Sequence, residues 1–182
     1  MAASGQRHVA LLRGVNVGGK NLLSMKVLAE IFAASGCTDV KTHLQSGNVV
    51  LRARAATARR LPAAVSAAIE ARTGLSVRVV QRTADELLEV ARAHPLAKKG
   101  DDPRTLHVAF LAAVPAPAAA AALDPSRSPG DTFLVRGREV FLRLPGGVGK
   151  SKLTNDYLDR TLGTFSTVRG WNTVQALAAL LG

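Results

Sequence analysis

Residues 40–53 read VKTHLQSGNVVLRA, and this stretch predicts a β-hairpin. Residues 40–44 alternate between apolar and polar side chains, which is typical of a half-buried strand. Residues 45–48, QSGN, are turn-forming types, and residues 49–53 return as a strand rich in β-branched side chains. Two strands joined by so short a turn pair antiparallel, so the hairpin predicts a sheet with antiparallel pairing.

The elements on either side of this hairpin complete a recognisable order. A strand is predicted at residues 7–13 and a helix at residues 25–35. After the hairpin come a helix at residues 58–73, which Gly74 ends, and a strand at residues 76–81. The order is therefore β-α-β-β-α-β, which is the split β-α-β or ferredoxin-like arrangement.

The second half of the chain repeats this order. A helix begins at the capping box Thr83–Glu86 and stops near Pro95, and a polar linker follows. The predicted elements after the linker are a strand at 105–112, a helix at 116–123, a hairpin at 132–136 and 139–144, a helix at 151–162, a strand at 166–169 and a helix ending at 181. The sequence thus predicts an α+β fold with two tandem ferredoxin-like units, antiparallel sheets, and linking and C-terminal helices. The predicted boundaries are 1–82 for the first unit, 83–104 for the connecting helix and linker, and 105–182 for the second unit.

The composition is that of a globular protein. Hydrophobic residues make up 47% of the 182 residues, and no apolar run approaches the roughly 20 residues of a membrane span. The N-terminus leads straight into a strand-like run, so no signal peptide is expected. Cys37 is the only cysteine, which precludes an intramolecular disulfide and favours a cytoplasmic location.

The chain is strongly basic, with a formal net charge of +11. This charge favours an acidic partner such as nucleic acid, a phosphorylated metabolite or an anionic surface. The alternative is that the abundance of Arg and Ala reflects a GC-rich genome rather than a function. One face of the first sheet is predicted to be basic, with Lys41, His43, Arg52, Arg54, Arg78 and Arg82 pointing away from the helices. The central strands carry no aromatic residue for stacking bases, which argues against an RNA-binding sheet of this shape.

Residues 144–155, LPGGVGKSKLTN, resemble a nucleotide-binding P-loop without matching one. Gly149, Lys150 and Ser151 fit the end of the pattern, but its first glycine falls on Leu144. A P-loop fold also needs several further parallel strands, and only 31 residues (182 − 151) follow Ser151. A P-loop ATPase is therefore disfavoured. The glycines beside Lys150 and Lys152 remain either an anion site at a helix N-terminus or a flexible loop with a Ser cap.

Two further polar segments are candidate binding elements. Residues 13–21, RGVNVGGKN, and residues 45–48 should meet at one end of the first sheet, and neither contains an acid. Residues 167–173, TVRGWNT, follow the last strand, and their Trp can either stack on a ring or fill a hydrophobic gap. The candidate ligand-binding residues from all segments are Arg13, Asn16, Lys20, Asn21, Gln45, Ser46, Asn48, Lys150, Ser151, Lys152, Asn155, Arg169, Trp171 and Asn172.

The sequence nominates no catalytic residue and no cofactor. The four histidines have no metal-like spacing, and with one cysteine a zinc site is not expected. No G-x-S-x-G nucleophile motif occurs, and no pair of acids stands out as an acid/base couple.

Four segments together, LLRGVNVGGKN, THLQSGNV, GKSKLTN and RGWNTV, resemble the bacterial family called domain of unknown function 1697. Members typically have R-G-I-N-V-G-G-[KN]-N, Q-S-G-N, S-K-L-T-N and R-N-W-N-T in this order. Gly170 stands where Asn is usual, so a role for that side chain does not carry over. The resemblance covers nearly the whole chain. It implies a soluble bacterial α+β protein and no particular activity.

The leading functional hypothesis is a binding module for a phosphate-bearing ligand, either nucleic acid or nucleotide. The second is an enzyme of unknown, transferase-like reaction in which Lys150 or Arg13 stabilises developing negative charge. The third is a protein-interaction module whose basic face is buried against a partner. No membrane association is expected.

Overall fold

The computed structural model describes residues 5–182, which form two four-stranded antiparallel sheets with six α-helices. Two units are distinguished within it. One comprises the chain up to Glu89 together with Leu177–Gly182, and the other comprises Val90–Ala176. The expectation about a signal peptide falls partly on residues 1–4, which lie outside the described residues.

The hairpin predicted at residues 40–53 lies within the first sheet. Its strands are β1 (Gln6–Leu12), β2 (Thr38–His43), β3 (Asn48–Ala53) and β4 (Val79–Thr83), and its helices are α1 (Met25–Ala34), α2 (Ala55–Thr73) and α3 (Ala84–Ala91). The strand order is β2-β3-β1-β4, and each neighbouring pair is antiparallel. The predicted hairpin is therefore confirmed, with β3 pairing both β2 and β1.

One face of this sheet is covered by α1 and α2. Leu28, Ile31 and Phe32 of α1 and Leu61, Val65 and Ile69 of α2 pack on alternate residues of the strands, among them Ala10, Leu12, Val49 and Leu51. The 3.6-residue spacing on the helices and the two-residue spacing on the strands explain why these side chains form a single cluster. Cys37 belongs to this core, and burial raises the pKa of its thiol to about 11.

The second sheet repeats the strand order. Its elements are β5 (Leu106–Leu111), α4 (Pro117–Ala121), β6 (Thr132–Arg136), β7 (Glu139–Arg143), α5 (Asn155–Leu162), β8 (Ser166–Gly170) and α6 (Trp171–Leu181), preceded by a 3₁₀ turn at Pro103–Thr105. The order is β6-β7-β5-β8, again antiparallel throughout. Its core includes Leu111, Leu142, Leu153, Tyr157 and Leu158.

Local capping signals predicted several helix boundaries. Thr83 and Glu86 form the reciprocal capping box before α3: the Glu86 carboxylate accepts from Thr83 N–H at 2.8 Å, and Thr83 Oγ1 accepts from Glu86 N–H at 3.2 Å. Gly74 ends α2 with a left-handed φ of 73°. Both predictions are confirmed.

Several boundaries differ from the predictions, among them the following three. Helix α5 begins at Asn155 rather than at residue 151, because Thr154 is the N-cap and its hydroxyl accepts from Tyr157 N–H. Strand β4 begins at Val79 rather than at residue 76, because its partner β1 ends at Leu12, which pairs with Val79. Helix α3 ends at Ala91, before the predicted stop near Pro95.

The outer face of the first sheet is less uniformly basic than predicted. Arg54, Arg78 and Lys41 are exposed, but Arg82 is only 1% exposed. Arg82 lies opposite Val9 in the ladder and donates through Nη1 to the carbonyl of Gln81 at 2.8 Å. The alternation of the strand therefore places Arg82 on the expected face, but that guanidinium is inside the protein.

Candidate functional site

Asn16 joins the loop after β1 to the turn between β2 and β3. Its Nδ2 donates to the carbonyls of Leu23 at 2.9 Å and Gln45 at 2.6 Å, and its Oδ1 accepts from Leu23 N–H at 2.8 Å. The residue has a left-handed φ of 55°, a conformation that Asn tolerates better than most residues. We call residues 13–24 and 44–48, which this side chain links, the Asn16 cluster.

The tip of the first loop is a tight turn stabilised by its own backbone. Lys20 N–H donates to Val17 carbonyl at 3.0 Å, and Gly18 and Gly19 between them both have positive φ, 57° and 75°. Two consecutive left-handed residues define a type I′ turn, which explains the Gly-Gly pair. Asn21 supports the base of the turn by donating from Nδ2 to Gly14 carbonyl at 3.0 Å.

The β2–β3 turn is stabilised in a similar way. Asn48 is fully buried, and its Nδ2 lies 3.0 Å from both the His43 carbonyl and the Ser46 hydroxyl. Leu44 in this turn has a positive φ of 59°, and the residue is 56% exposed. Asn16, Asn21, Ser46 and Asn48, all predicted as ligand-binding residues, thus have side chains engaged in internal hydrogen bonds that shape the two segments.

The Asn16 cluster leaves a particular set of side chains on its surface. Lys20 and Gln45 are exposed, as are the apolar Val17, Leu22 and Leu44 at 61%, 73% and 56%. Arg13 is half-buried, and its N–H donates to Arg78 carbonyl at 2.9 Å. The cluster's sequence, RGVNVGGKNLLS and LQSGN, contains no Asp or Glu. Its exposed surface is therefore cationic, polar and apolar, without a competing carboxylate of its own.

The glycine-rich loop before α5 is arranged differently from a phosphate-binding loop. Because α5 begins at Asn155, Lys150 and Ser151 do not lie at its N-terminus, and the interpretation as a helix N-terminal anion site is wrong. The loop is closed by its own turns, in which the N–H groups of Gly147, Lys150 and Ser151 donate to loop carbonyls at 2.9, 3.2 and 3.3 Å. Those N–H groups already have acceptors within the loop.

The predicted site residues in and next to this loop differ in their exposure and in their hydrogen bonds. Lys150 and Lys152 are exposed, and the Lys152 N–H donates to Ser128 Oγ at 3.1 Å. Ser151 Oγ accepts from Leu153 N–H at 3.0 Å. Asn155 is half-buried, with its Oδ1 3.1 Å from the Ser166 hydroxyl. The loop thus offers two lysine side chains to solvent.

The predicted site residues at the end of β8 and the start of α6 range from buried to exposed. Burial lowers the pKa of Arg169 to about 10, and its Nη1 donates to Thr167 Oγ1 at 2.8 Å and Val168 carbonyl at 2.9 Å. Trp171 is half-buried and meets the ring of His94 edge-on, with centroids 5.2 Å apart. These contacts favour the packing role for Trp171 over ring stacking with a ligand. Asn172 is exposed.

Buried histidines are the feature that sequence analysis missed. His94 Nε2 lies 3.0 Å from His107 carbonyl, and its Nδ1 accepts from Leu96 N–H at 3.3 Å, an arrangement that requires a neutral ring with the proton on Nε2. Burial lowers the pKa of His94 and of His107, and the proximity of His94 lowers that of His107 further. Burial also lowers the pKa of His8, which Glu86 partly offsets.

These three histidines predict a loss of stability in mild acid. A folded-state pKa below the ordinary value of about 6.5 means that the unfolded chain binds more protons than the native chain as pH falls. The histidine contribution to stability is therefore complete above about pH 6.5 and decreases as pH falls below it. We expect the urea midpoint to be lower at pH 5.5 than at pH 7.5. Side-chain NMR titration checks the cause: a pKa at or above about 6.5 for all three histidines would contradict it.

Residues 5–182 contain no group of three or more His, Cys, Asp or Glu side chains placed to hold a metal ion. Every helix in the same range is too short or too polar to cross a bilayer.

Comparison with known proteins bears on the fold and the family. A solved structure described as the conserved bacterial protein SP0830 from Streptococcus pneumoniae superposes with a TM-score of 0.65 over 97% of this chain and 99% of that chain, at 17% sequence identity. At this identity the likeness concerns the fold alone. No curated protein sequence matches the chain.

The family model described as "Protein of unknown function (DUF1697)" matches residues 6–141. The matched range includes the whole Asn16 cluster and ends before the glycine-rich loop at residues 144–154. The Asn16 cluster is thus the candidate site that lies within the shared part of the sequence. The chain belongs to the DUF1697 family.

Proposed function

We propose that this protein binds a phosphate-bearing ligand at the Asn16 cluster, and that the ligand is nucleic acid. The observation that carries the proposal is the side chain of Asn16, which makes two hydrogen bonds to Leu23 within its own loop and one to Gln45, and so joins two separate segments into one surface. A surface that is rigid before binding loses less conformational entropy when a ligand docks.

The charges of the cluster favour a polyanion. Lys20 projects from a type I′ turn, and the chain as a whole has a net charge of +11. The cluster itself contributes no carboxylate that would repel a phosphate. Lysine side chains contact phosphates as flexible point charges, and these contacts provide affinity without reading sequence.

The exposure of the cluster favours nucleic acid over an enclosed nucleotide. Val17, Leu22 and Leu44 are more than half exposed, and Gln45 is exposed beside them. A nucleotide site usually encloses most of its ligand, whereas a strand of nucleic acid lies along an open surface. Apolar side chains beside a lysine suit unstacked bases next to their phosphates.

Replacing Lys20 with alanine tests the proposal. We expect a labelled single-stranded oligonucleotide to bind about fivefold more weakly, and the slope of log K against log salt to become less steep by about 0.7, because one phosphate contact is lost. Fluorescence anisotropy at several salt concentrations measures both quantities. Lys99→Ala removes the same charge from an exposed position in the other unit and is the matched control.

The control decides between site-specific and general attraction. Equal weakening by Lys20→Ala and Lys99→Ala would mean that only the net charge matters, and the proposed site would be wrong. Absence of any salt-dependent binding would instead favour the interaction-module alternative, in which Val17, Leu22 and Leu44 meet another protein.

We further propose that the two halves are tandem ferredoxin-like units connected by residues 83–104, and that the protein is cytoplasmic. The first part is supported by the strand orders β2-β3-β1-β4 and β6-β7-β5-β8, which correspond strand for strand. The second is supported by a single, buried cysteine.

A further inference from the structure

A second basic site lies on the outer face of the first sheet, opposite the face that α1 and α2 cover. Arg7, Lys41 and Arg52 line a groove of about 250 Å³, together with Asp39 and the apolar Val50 and Leu180. We call it the cationic groove. It shares no residue with the Asn16 cluster, and the inference below does not depend on the proposed function.

The pairing of the strands places the three cations on one face. Arg7 lies opposite Arg52 in the β1–β3 ladder, and Lys41 lies opposite Val50 in the β2–β3 ladder. Residues that are directly paired in a ladder lie on the same face of the sheet, and so do residues two positions apart on one strand. Val50 and Arg52 are two positions apart on β3, so Arg7, Arg52 and Lys41 all lie on one face. The grouping follows from the fold rather than from the flexibility of long side chains.

A bulge in β2 adjusts the rim of the groove. Thr38 pairs with Arg52 and Lys41 pairs with Val50, so β2 advances three residues where β3 advances two. Asp39 within this bulge has a left-handed φ of 51°, which a non-glycine residue adopts at an energetic cost. Bulges of this kind redirect side chains and occur often beside functional sites. Here both Asp39 and Lys41 line the groove.

Internal hydrogen bonds hold the two guanidinium groups. Arg7 Nη1 donates to the carbonyls of Leu181 at 2.8 Å and Gly182 at 3.1 Å. Arg52 Nε pairs with Asp39 Oδ2 at 2.9 Å, and its Nη1 donates to Gly5 carbonyl at 3.2 Å. Within residues 5–182, Arg7 Nη2, Arg52 Nη2 and Lys41 Nζ donate to no acceptor. Fixed arginines with remaining donors are suited to receive an oxyanion.

The charge and size of the groove define the ligand class. Three cationic side chains and one carboxylate side chain line the groove, and this excess of positive charge favours an anion such as the dianion of a phosphate monoester, whose second pKa is about 6. The volume is below the roughly 300–1,000 Å³ of pockets that bury drug-sized ligands. Val50 and Leu180 supply an apolar wall for a short carbon chain. We propose that the cationic groove binds a small phosphate monoester through Arg7, Lys41 and Arg52.

Backbone amide NMR of the full chain, titrated with inorganic phosphate at pH 7.5 and constant ionic strength, tests this proposal. We expect saturable shifts at residues 39–41 and 50–52. Lys41→Ala should weaken this binding roughly 10-fold, since it removes one charge-assisted contact. Lys26→Ala, at an exposed position of α1, should change the affinity less than about twofold. Lys41 is exposed, so its replacement should leave the fold intact, and an unchanged urea midpoint verifies this.

Four outcomes would overturn the proposal. One is the absence of saturable shifts in the groove. Another is equal phosphate affinity in Lys41→Ala and the native chain. The third is an acetate titration that perturbs the same amides as strongly as phosphate does, because a site for a phosphate dianion should prefer it. Shifts confined to residues 17–21 would likewise overturn the groove while leaving the Asn16 cluster supported, and the Lys20→Ala variant separates the two sites.

Discussion

Replacing Gly47 with alanine is expected to destabilise the protein by about 2–4 kcal/mol. Gly47 has a φ of 75°, and a Cβ added there would lie 2.7 Å from Leu12 Cβ. Leu12 is fully buried, and its N–H donates to Gly47 carbonyl at 2.8 Å, so neither partner has room to withdraw. The left-handed backbone alone disfavours alanine by about 1 kcal/mol, and the overlap with a core side chain adds about 1–3 kcal/mol.

Urea unfolding measures the effect, and Gly18→Ala is the matched control. Gly18 has a similar φ of 57°, but an added Cβ would have no atom within 4 Å. We therefore expect Gly18→Ala to lose only the backbone component, about 1 kcal/mol. If both variants unfolded at the same urea concentration, the close approach of Gly47 to Leu12 would not be the reason for glycine at this position.

Asn16→Ala is expected to destabilise the protein by about 3 kcal/mol and to weaken oligonucleotide binding as well. The substitution removes three hydrogen bonds and leaves the buried Leu23 without an acceptor for its N–H. An unsatisfied buried donor costs about 1–3 kcal/mol, and alanine at φ 55° adds about 1 kcal/mol. Ligand affinity should decrease because the two segments of the Asn16 cluster are no longer held together.

Two variants separate the contributions of Asn16. Asn16→Gly tolerates the left-handed backbone, so it should recover about 1 kcal/mol relative to Asn16→Ala while still lacking the side-chain bonds. Asn21→Ala has a comparable φ of 50° but loses a single exposed hydrogen bond to Gly14, and we expect about 1–2 kcal/mol. A loss from Asn21→Ala as large as that from Asn16→Ala would show that backbone strain, not the link between the segments, governs both.

Local patterns predicted most of the elements and some of their ends. The capping box at Thr83 and the glycine stop at Gly74 involve residues at most four positions apart, so the sequence contains all the information they need. The start of α5 was misjudged because two hydroxyl residues compete for the N-cap. Thr154 is the N-cap, and its hydroxyl accepts from Tyr157 N–H. Ser151 Oγ instead accepts from Leu153 N–H within the loop. Strand β4 was misplaced because its limits depend on pairing with a distant strand.

The sequence indicated where the candidate site lies, but not which of its side chains form internal hydrogen bonds. Glycines and amides at residues 13–21 and 45–48 indicated a shaped loop cluster, and Asn16 Nδ2 does reach Gln45 across 29 positions. Composition alone does not reveal whether an amide faces a ligand or the backbone. The burial of Asn48 and Arg169, and the edge-on contact of Trp171 with His94, depend on tertiary neighbours.

The hydrogen bonds from Arg7 to the last carbonyls of α6 have a consequence for folding during synthesis. Arg7 and Leu181 are 174 positions apart, yet residues 177–182 belong to the same unit as β1. A ribosome releases the N-terminal strand long before the segment that completes its surroundings, and contacts between such distant residues form slowly because they close very long loops. All four strands of the first sheet lie before residue 84, so the sheet can pair early, whereas the contacts of Arg7 wait until residues 181 and 182 have been made.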